Sequence, residues 1–194
     1  DHEFNQLYAK INSSLEKLSN DNLFTDVEQF QFLSQNFKQL EDKYELLSPL
    51  YRIAGVVPKE ISGKDISNYL LKFFDRRIKD YNIELESTPE FNKHILTIKE
   101  PVIHTVYINI INNAIYWMRN KENRKILLDY KTDTDEIIIC NSGLKIEEHR
   151  IEKIFDMFYS NRPNGRGIGL YLSKQSLNEN RLDVYATNEK SYNL

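Results

Sequence analysis

The chain has 194 residues, of which 40% are hydrophobic and 28% charged, and its formal net charge at pH 7 is -3. This composition can bury a core and excludes an intrinsically disordered chain, while the slight negative charge gives no overall signature of a nucleic-acid-binding protein. No apolar run approaches the roughly 18 residues needed to span a bilayer, so we expect no membrane contact for this chain. Because of the charge, we also expect no nucleic-acid partner.

The N-terminal part predicts two amphipathic helices. Apolar residues recur at intervals of three and four over residues 3–18: Phe4, Leu7, Ile11, Leu15 and Leu18. A second helix follows the capping-box pattern of Thr25 and Glu28 and is interrupted by Pro49. Because an antiparallel hairpin of two helices cannot bury both apolar stripes, we expect it either to form a four-helix bundle in a homodimer or to pack against the rest of the chain.

From about Gly55 the sequence pattern becomes mixed α and β. Residues 64–81 predict a helix whose inward side chains are Ile66, Leu70, Phe73, Phe74 and Ile78. The later elements are strands over NIELEST and HILTIKE, a helix over 101–119, a strand hairpin over RKILLDYK and DEIIICNS, a short helix around EEHRIEKIF, a helix from Ile168 to about Leu177, and a last strand over LDVYAT. The predicted fold class is α+β, with a helical hairpin over 1–52 and a second domain over 53–194.

The helix over 101–119 carries an unusual pair of amides. Asn109 and Asn113 lie four residues apart, so they share one helix face among apolar neighbours. Amides on a largely buried helix need partners, which could be backbone or capping groups. The two amides lie in register on one helix face, and the chain also has a glycine loop. The pair can therefore instead bind a hard cation such as Mg2+, for which amide oxygens are suitable ligands.

Two glycine-containing segments follow. The strand EIIIC runs into NSG, which predicts a tight turn where Gly143 allows a positive φ. Three glycines then occupy alternate positions before an apolar, helix-like run: Gly165, Gly167 and Gly169. Their spacing fits neither the Rossmann nor the P-loop pattern. It predicts a flexible turn capping an ordinary helix, or a helix N-terminus that binds phosphate, with Arg162 and Arg166 as candidate phosphate partners.

Four stretches in this order, NIINNA, CNSGLKI, IFDMF and GRGIGL, resemble the asparagine, first glycine, phenylalanine and second glycine boxes of sensor histidine kinases. These kinases belong to the superfamily that also holds DNA gyrase, mismatch-repair and heat-shock chaperone ATPases. The resemblance covers roughly residues 60–187. It implies a two-layer α/β sandwich ATP-binding domain of the Bergerat type, with ATP and Mg2+ as cofactors.

The resemblance also implies roles for single residues. Asn113 and Asn109 would hold Mg2+, and Asn141 would meet the adenine amine. Gly143 would let the backbone approach the base, and the three loop glycines would wrap the triphosphate. The full set implied to contact the nucleotide is Asn109, Asn113, Tyr116, Asn141, Gly143, Ile146, Arg162, Gly165, Arg166, Gly167, Ile168, Gly169 and Leu170.

The chain departs from the family pattern in two residues. Asn141 stands where the family usually has Asp, and its amide could accept from adenine or donate to a carbonyl, so the choice of nucleotide stays open. Tyr116 stands where kinases often carry a basic residue, so one phosphate or lid contact could be missing. The chain begins at Asp1 without Met and stops before a further expected strand. We therefore expect a piece of a longer protein with a C-terminally truncated ATP-binding domain.

The reaction type is suggested by Asn109 and by the N-terminus. Members of the superfamily that hydrolyse ATP place a Glu as general base at the position of Asn109, which cannot take a proton. His2 and Glu3 resemble the phosphoacceptor box of histidine kinases, with an imidazole nucleophile and an adjacent carboxylate. Gln6 could position water for removing phosphate from a response regulator. A solvated histidine at a frayed terminus is the other interpretation of His2.

The resemblance, with these residues beside it, implies the cytoplasmic catalytic fragment of a sensor histidine kinase, a protein-histidine kinase of a two-component system. Mg-ATP would phosphorylate His2, and the phosphate would pass to an aspartate on a response-regulator receiver domain. One alternative is a non-catalytic ATP-binding module whose lid signals to the rest of a larger protein, and another is an ATPase of the gyrase or chaperone kind. The single Cys140 lies in an apolar run and predicts a small core residue rather than a nucleophile.

Overall fold

A computed structural model describes residues 11, 13–16, 18, 30–33, 55–163 and 165–188. The chain divides into two compact units, Asp1–Ala54 and Gly55–Leu194. In the first unit every described residue is helical, as the periodicity predicts, and Leu15 is buried. The predicted catalytic residues His2, Glu3 and Gln6 lie outside the described residues, as does the predicted capping box.

The second unit contains five strands and five α-helices among its described residues. In chain order these are β1 (Lys59–Ser62), α1 (Gly63–Phe73), α2 (Asp75–Asp80), β2 (Ile83–Ser87), α3 (Pro89–Lys93), β3 (Ile95–Ile98), α4 (Glu100–Trp117), β4 (Arg124–Lys131), β5 (Glu136–Asn141) and α5 (Gly169–Glu179). Two short 3-10 turns, Glu148–Arg150 and Lys153–Phe155, replace the single short helix predicted there.

The strands form two small sheets. β1 pairs with β3 antiparallel, and the second sheet has the order β2-β4-β5. β2 runs parallel to β4, with Ile83 opposite Arg124, whereas β4 and β5 form the predicted antiparallel hairpin. The α+β class predicted from the sequence is confirmed.

Local sequence signals explain where the helices begin. At the start of α1, the Ser62 hydroxyl accepts from the Asp65 amide at 3.1 Å, and the Asp65 carboxylate accepts from the Ser62 amide at 3.3 Å. This capping box satisfies two otherwise unpaired donors. Pro101 lies in the first turn of α4, where its fixed φ fits and its missing N–H costs no hydrogen bond.

Helix α4 forms the centre of the core. It contacts α1, α5 and β4, and its buried side chains are Val102, Ile103, Val106, Tyr107, Ile111, Ala114 and Ile115. Fully burying one branched aliphatic side chain contributes about 1.5–3 kcal/mol. The same helix carries the amide pair, so the packing that stabilises the domain also fixes the position of these amides.

Two further sequence predictions about elements are wrong. The single helix over 64–81 breaks at Phe74, whose φ of -98° and ψ of 8° end α1. The break buries Phe74 and leaves Phe73 exposed, although both were predicted to face inward. Residues 182–188 form no strand with any described neighbour. Their alternating side chains predict extended backbone but cannot specify a hydrogen-bonded partner.

The sequence pattern also missed two short elements, β1 and α3. A signal for α3 was present, because Thr88 caps the helix by accepting from the Phe91 amide at 3.2 Å and Pro89 follows it. In the part of the chain that the structure describes, no helix is both long and apolar enough to cross a membrane.

Candidate functional site

Asn109 joins helix α4 to the beginning of α5. Its side-chain amide donates to the carbonyl oxygen of Gly169 at 2.9 Å and to the hydroxyl of Ser173 at 3.0 Å. Ser173 is fully buried and its hydroxyl also donates to the Gly169 carbonyl, at 2.8 Å. Asn109 therefore already has protein partners for its amide nitrogen, and only its carbonyl oxygen remains for a further contact.

Asn113 lies one turn further along α4, and its hydrogen bonding differs from that of Asn109 and Asn112. It is half-buried, and its side chain makes no hydrogen bond to any described residue. By contrast, the adjacent Asn112 accepts a hydrogen bond from the Arg77 guanidinium. Of the three asparagines in the NIINNA run, Asn113 is therefore the one whose whole amide is available to a ligand.

The start of α5 fits an anion. Its N-cap residue, Ile168, is buried and supplies no side-chain hydrogen bond, and no acidic residue lies in the first turn. The first amides of an α-helix have no intrahelical partner and lie at the positive end of the helix dipole. An uncapped N-terminus joined to α4 through Asn109 is a suitable place for phosphate oxygens.

Other atoms of the chain itself lie close to the backbone of the glycine loop. Gly167 has a φ of +65°, and a Cβ there would lie 2.4 Å from the carbonyl carbon of Phe158 and 2.6 Å from the Tyr159 amide nitrogen. A Cβ on Gly165 would lie 2.2 Å from the Ser160 hydroxyl. At Gly169 the nearest atom is the Asn109 carbonyl oxygen, at 3.0 Å. Contact of these glycines with phosphate stays a prediction.

The turn after β5 is held by the side chain of Asn141. Asn141 is exposed, and its carbonyl oxygen accepts from the Gly143 amide at 2.9 Å. Among the described glycines only Gly55 and Gly167 have a positive φ, so Gly143 does not adopt the positive φ that glycine allows at this turn. A Cβ on Gly143 would lie 2.5 Å from the Asn141 side-chain oxygen, so a larger residue there would displace this exposed side chain.

Sequence reasoning missed Asn188, which holds the segment after that turn. The Ile146 amide donates to the Asn188 side-chain oxygen at 2.9 Å, and the Asn188 side-chain nitrogen donates to the Ile146 carbonyl at 2.5 Å. One side chain thus satisfies both backbone groups of Ile146, as a neighbouring strand would. No local signal marks Asn188, because its partner lies 42 residues away in sequence.

Tyr116 and Arg162 contact each other. The guanidinium carbon of Arg162 lies 4.4 Å from the centroid of the Tyr116 ring, within the range of a cation–π contact. The remaining predicted residues are placed as follows: Arg166 is exposed, and Leu170 is half-buried in the first turn of α5.

Other polar clusters do not add to the site. Burial raises the pKa of the Cys140 thiol, and the Asp129 carboxylate acts in the same direction, which disfavours a nucleophilic thiolate. In the described ranges, no three His, Cys, Asp or Glu side chains come together as a metal cluster. A cavity of about 430 Å3 is lined by residues 148, 149 and 151–153, none of them a predicted site residue.

Two family models match the chain. Residues 98–191 match the model described as histidine kinase-, DNA gyrase B-, and HSP90-like ATPase, and residues 1–55 match the HEF_HK domain. The sensor protein RprX of Bacteroides fragilis is 21% identical over 97% of this chain and 39% of its own length. The autoinducer 1 sensor kinase/phosphatase LuxN of Vibrio campbellii is 30% identical over 51% of this chain and 13% of its own length. The chain therefore spans well under half of either relative.

Solved structures of the histidine kinase ThkA share the fold. Its catalytic domain matches with a TM-score of 0.52 at 23% identity, covering 63% of this chain and 80% of that one. A structure of ThkA in complex with the response regulator protein TrrA matches with a TM-score of 0.59 at 17% identity, covering 97% of this chain and 56% of that one. At these identities the match shows the fold alone, and it agrees with the predicted α+β class.

Proposed function

Because this chain carries a histidine kinase-type ATPase domain, we propose that it is the catalytic core of a cytoplasmic protein-histidine kinase of a two-component system. Its substrate would be Mg-ATP, its phosphoacceptor His2, and the final acceptor an aspartate on a response-regulator receiver domain. The observation that carries the proposal is the amide of Asn113, which has no described protein partner and lies one turn from the link between Asn109 and the start of α5.

The described residues fit a magnesium-bound nucleotide. Asn113 would hold Mg2+ through its carbonyl oxygen, and Asn109 could add only its own carbonyl oxygen, because its nitrogen is already bonded to α5. Arg162 and the first amides of α5 would bind the phosphates. Asn141 would meet the adenine amine beside Gly143. The bound nucleotide supplies the phosphoryl group for transfer.

Residues near the N-terminus would complete the reaction. His2 would provide the nucleophilic imidazole, Glu3 would take or orient its proton, and Gln6 would position water for dephosphorylating the partner. The match of residues 1–55 to the HEF_HK domain supports a kinase role for this segment. We propose that the same segment forms the homodimer.

The receiver partner is proposed from two relatives. LuxN is named a sensor kinase/phosphatase, and ThkA has been solved with the response regulator TrrA. A receiver domain would therefore bind near His2, because the phosphoryl group must pass between the two side chains.

Incubation with γ-labelled ATP and Mg2+ tests the proposal. We expect an acid-labile, alkali-stable label on the wild type that disappears in His2→Gln. His149→Gln is a matched control, because it removes an exposed histidine outside the candidate site and should keep the label. Nucleotide binding without any label would overturn the kinase assignment and favour a non-catalytic ATP-binding module.

Simple ATP hydrolysis is the less favoured alternative, because of the chemistry and the contacts of Asn109. Asn109 cannot act as a general base, and it also donates to Gly169 and Ser173. A carboxylate at this position would face the Gly169 carbonyl without a donor of its own. Asn109→Glu would therefore be expected to loosen α5 rather than simply to install a base.

A further inference from the structure

Two arginines lie over the same aromatic ring at the end of α4. The guanidinium carbon of Arg162 lies 4.4 Å from the Tyr116 ring centroid, and that of Arg119 lies 4.7 Å from it. Arg162 comes from the segment that precedes the glycine loop, whereas Arg119 follows α4 directly. Tyr116 therefore gathers two cations from parts of the chain that are more than 40 residues apart.

This pair of cations has no acidic partner in the part of the chain that the structure describes. Among the described residues neither Arg119 nor Arg162 forms an ion pair, and both side chains are exposed. Because both lie within 5 Å of one ring centroid, their charges are closer together than the Debye length of about 10 Å at 0.1 M salt. Two like charges held this close repel each other, and an anion bound between or beside them would relieve the repulsion.

The arginine pair adjoins the candidate nucleotide site. Tyr116 lies three residues after Asn113, so the two side chains are neighbours on the surface of α4. The carbonyl of Arg162 accepts from the Gly165 amide at 2.8 Å, which connects this arginine to the loop that opens α5. Guanidinium groups match phosphate oxygens in geometry and remain charged at all physiological pH values.

We propose that Arg119 is a second phosphate-binding cation of this site, acting with Arg162, and that Tyr116 is the positioning residue that holds both guanidinium groups. The inference rests on the proposed nucleotide site and adds which nucleotides that site should prefer. Two cations at the Tyr116 ring, one turn from Asn113, favour a nucleotide with a polyphosphate chain over a monophosphate, because only the longer chain carries enough negative charge to engage both.

A simpler role exists for Arg119. It follows the C-terminal end of α4, where any cation interacts favourably with the helix dipole. That role would change the stability of the domain but would affect binding of all adenine nucleotides alike. The ratio of ATP affinity to AMP affinity therefore separates the two roles.

Calorimetric titration of ATP and AMP in the presence of Mg2+ tests the proposal with variants of the whole chain. We expect Arg119→Gln to weaken ATP binding about three- to tenfold and AMP binding less than about twofold. Lys121→Gln removes the same charge just beyond the same helix and should change both affinities less than about twofold. Tyr116→Leu should reproduce the loss of ATP preference, while Tyr116→Phe should keep it.

The outcomes separate this inference from the proposed function. If the wild type binds ATP but Arg119→Gln weakens ATP and AMP equally, or if Lys121→Gln matches Arg119→Gln, then Arg119 does not bind phosphate and only this inference fails. If the wild type binds neither nucleotide, the proposed function fails and the inference falls with it. If Arg119→Gln unfolds, Arg119→Lys keeps the charge, and it should retain the ATP preference over AMP.

Discussion

The side-chain amide of Asn109 and the carbonyl oxygen of Gly169 are joined by a hydrogen bond of 2.9 Å that spans 60 residues of sequence. Asn113, four residues further along the same helix, bonds to no described residue. The two asparagines therefore have separate roles although they share a helix face. Asn109 stabilises the link between two helices, and Asn113 is available to a ligand.

The first prediction compares these two asparagines. Asn109→Ala should lower the free energy of unfolding by about 1–2 kcal/mol, because the Gly169 carbonyl and Ser173 hydroxyl each lose a donor. Asn113→Ala should change it by less than about 0.5 kcal/mol but weaken Mg2+-dependent ATP binding at least about tenfold. Urea unfolding and calorimetric titration with and without Mg2+ measure both effects. Equal losses of stability in the two variants would contradict the division of roles.

The second prediction concerns Gly167. Gly167→Ala places a Cβ at a φ of +65° and within 2.4 Å of the Phe158 backbone, so we expect a loss of more than about 2 kcal/mol of unfolding free energy. Gly55→Ala is the matched control, because Gly55 has a φ of +86° but open space around its Cβ position. Gly55→Ala should lose only about 1 kcal/mol of unfolding free energy, which is the cost of the backbone strain. Similar losses in the two variants would show that the close approach of Phe158 does not affect the stability.

The glycine loop illustrates what sequence can and cannot provide. Alternate glycines leave the backbone without side chains, and at Gly165, Gly167 and Gly169 other atoms of the chain come close to it. Spacing alone does not say whether the neighbour is a ligand or the chain. Here the neighbours include Ser160 and Phe158, which lie before the loop, and Asn109, which lies on another helix.

The third prediction is a pH dependence of stability that comes from His104. Burial lowers the pKa of His104 below its ordinary value of 6.5, while Glu100 acts in the opposite direction and Lys59 adds to the lowering. Below pH 6.5 the unfolded chain therefore binds more protons than the folded chain. The stabilising contribution of neutral His104 is present above that pH and is lost as the pH falls.

His104→Phe should keep the stacking on Tyr69, whose ring centroid lies 3.6 Å away, and remove the titration. Urea unfolding between about pH 7.5 and about pH 5.5 should then show a smaller loss of stability than in the wild type. His149→Gln removes an exposed histidine and serves as the control. An unchanged pH profile in His104→Phe would mean that another group causes the dependence.

The fourth prediction concerns Asn188. Asn188→Ala leaves both backbone groups of Ile146 without their partner, so the segment after β5 should move and weaken ATP and AMP binding alike, about three- to tenfold. Because the residues proposed to bind phosphate are unchanged, the ratio of the two affinities should stay the same. Asn178→Ala, at an exposed position near the end of α5, is the matched control. A selective loss of ATP binding in Asn188→Ala would argue against this positioning role.

The elements that sequence predicted well are those with a strong local signal. Helix α4 and the β4-β5 hairpin lie within two residues of their predicted bounds. The break at Phe74 could not be predicted from periodicity, because Phe73 and Phe74 are equally apolar and only packing decides which is buried. Asn188 was missed for a related reason, since the contact that gives it a role is distant in sequence.

The order of strands in the second sheet has a consequence for how quickly the domain folds. β4 and β5 are joined by a turn of four residues, whereas the parallel pair of β2 and β4 encloses α3, β3 and α4. Closing a long loop costs more chain entropy than closing a short one, and non-local pairing slows folding. During refolding, we therefore expect the amides of β4 and β5 to become protected from hydrogen exchange before those of β2. Pulse labelling that protected β2 first would contradict this order.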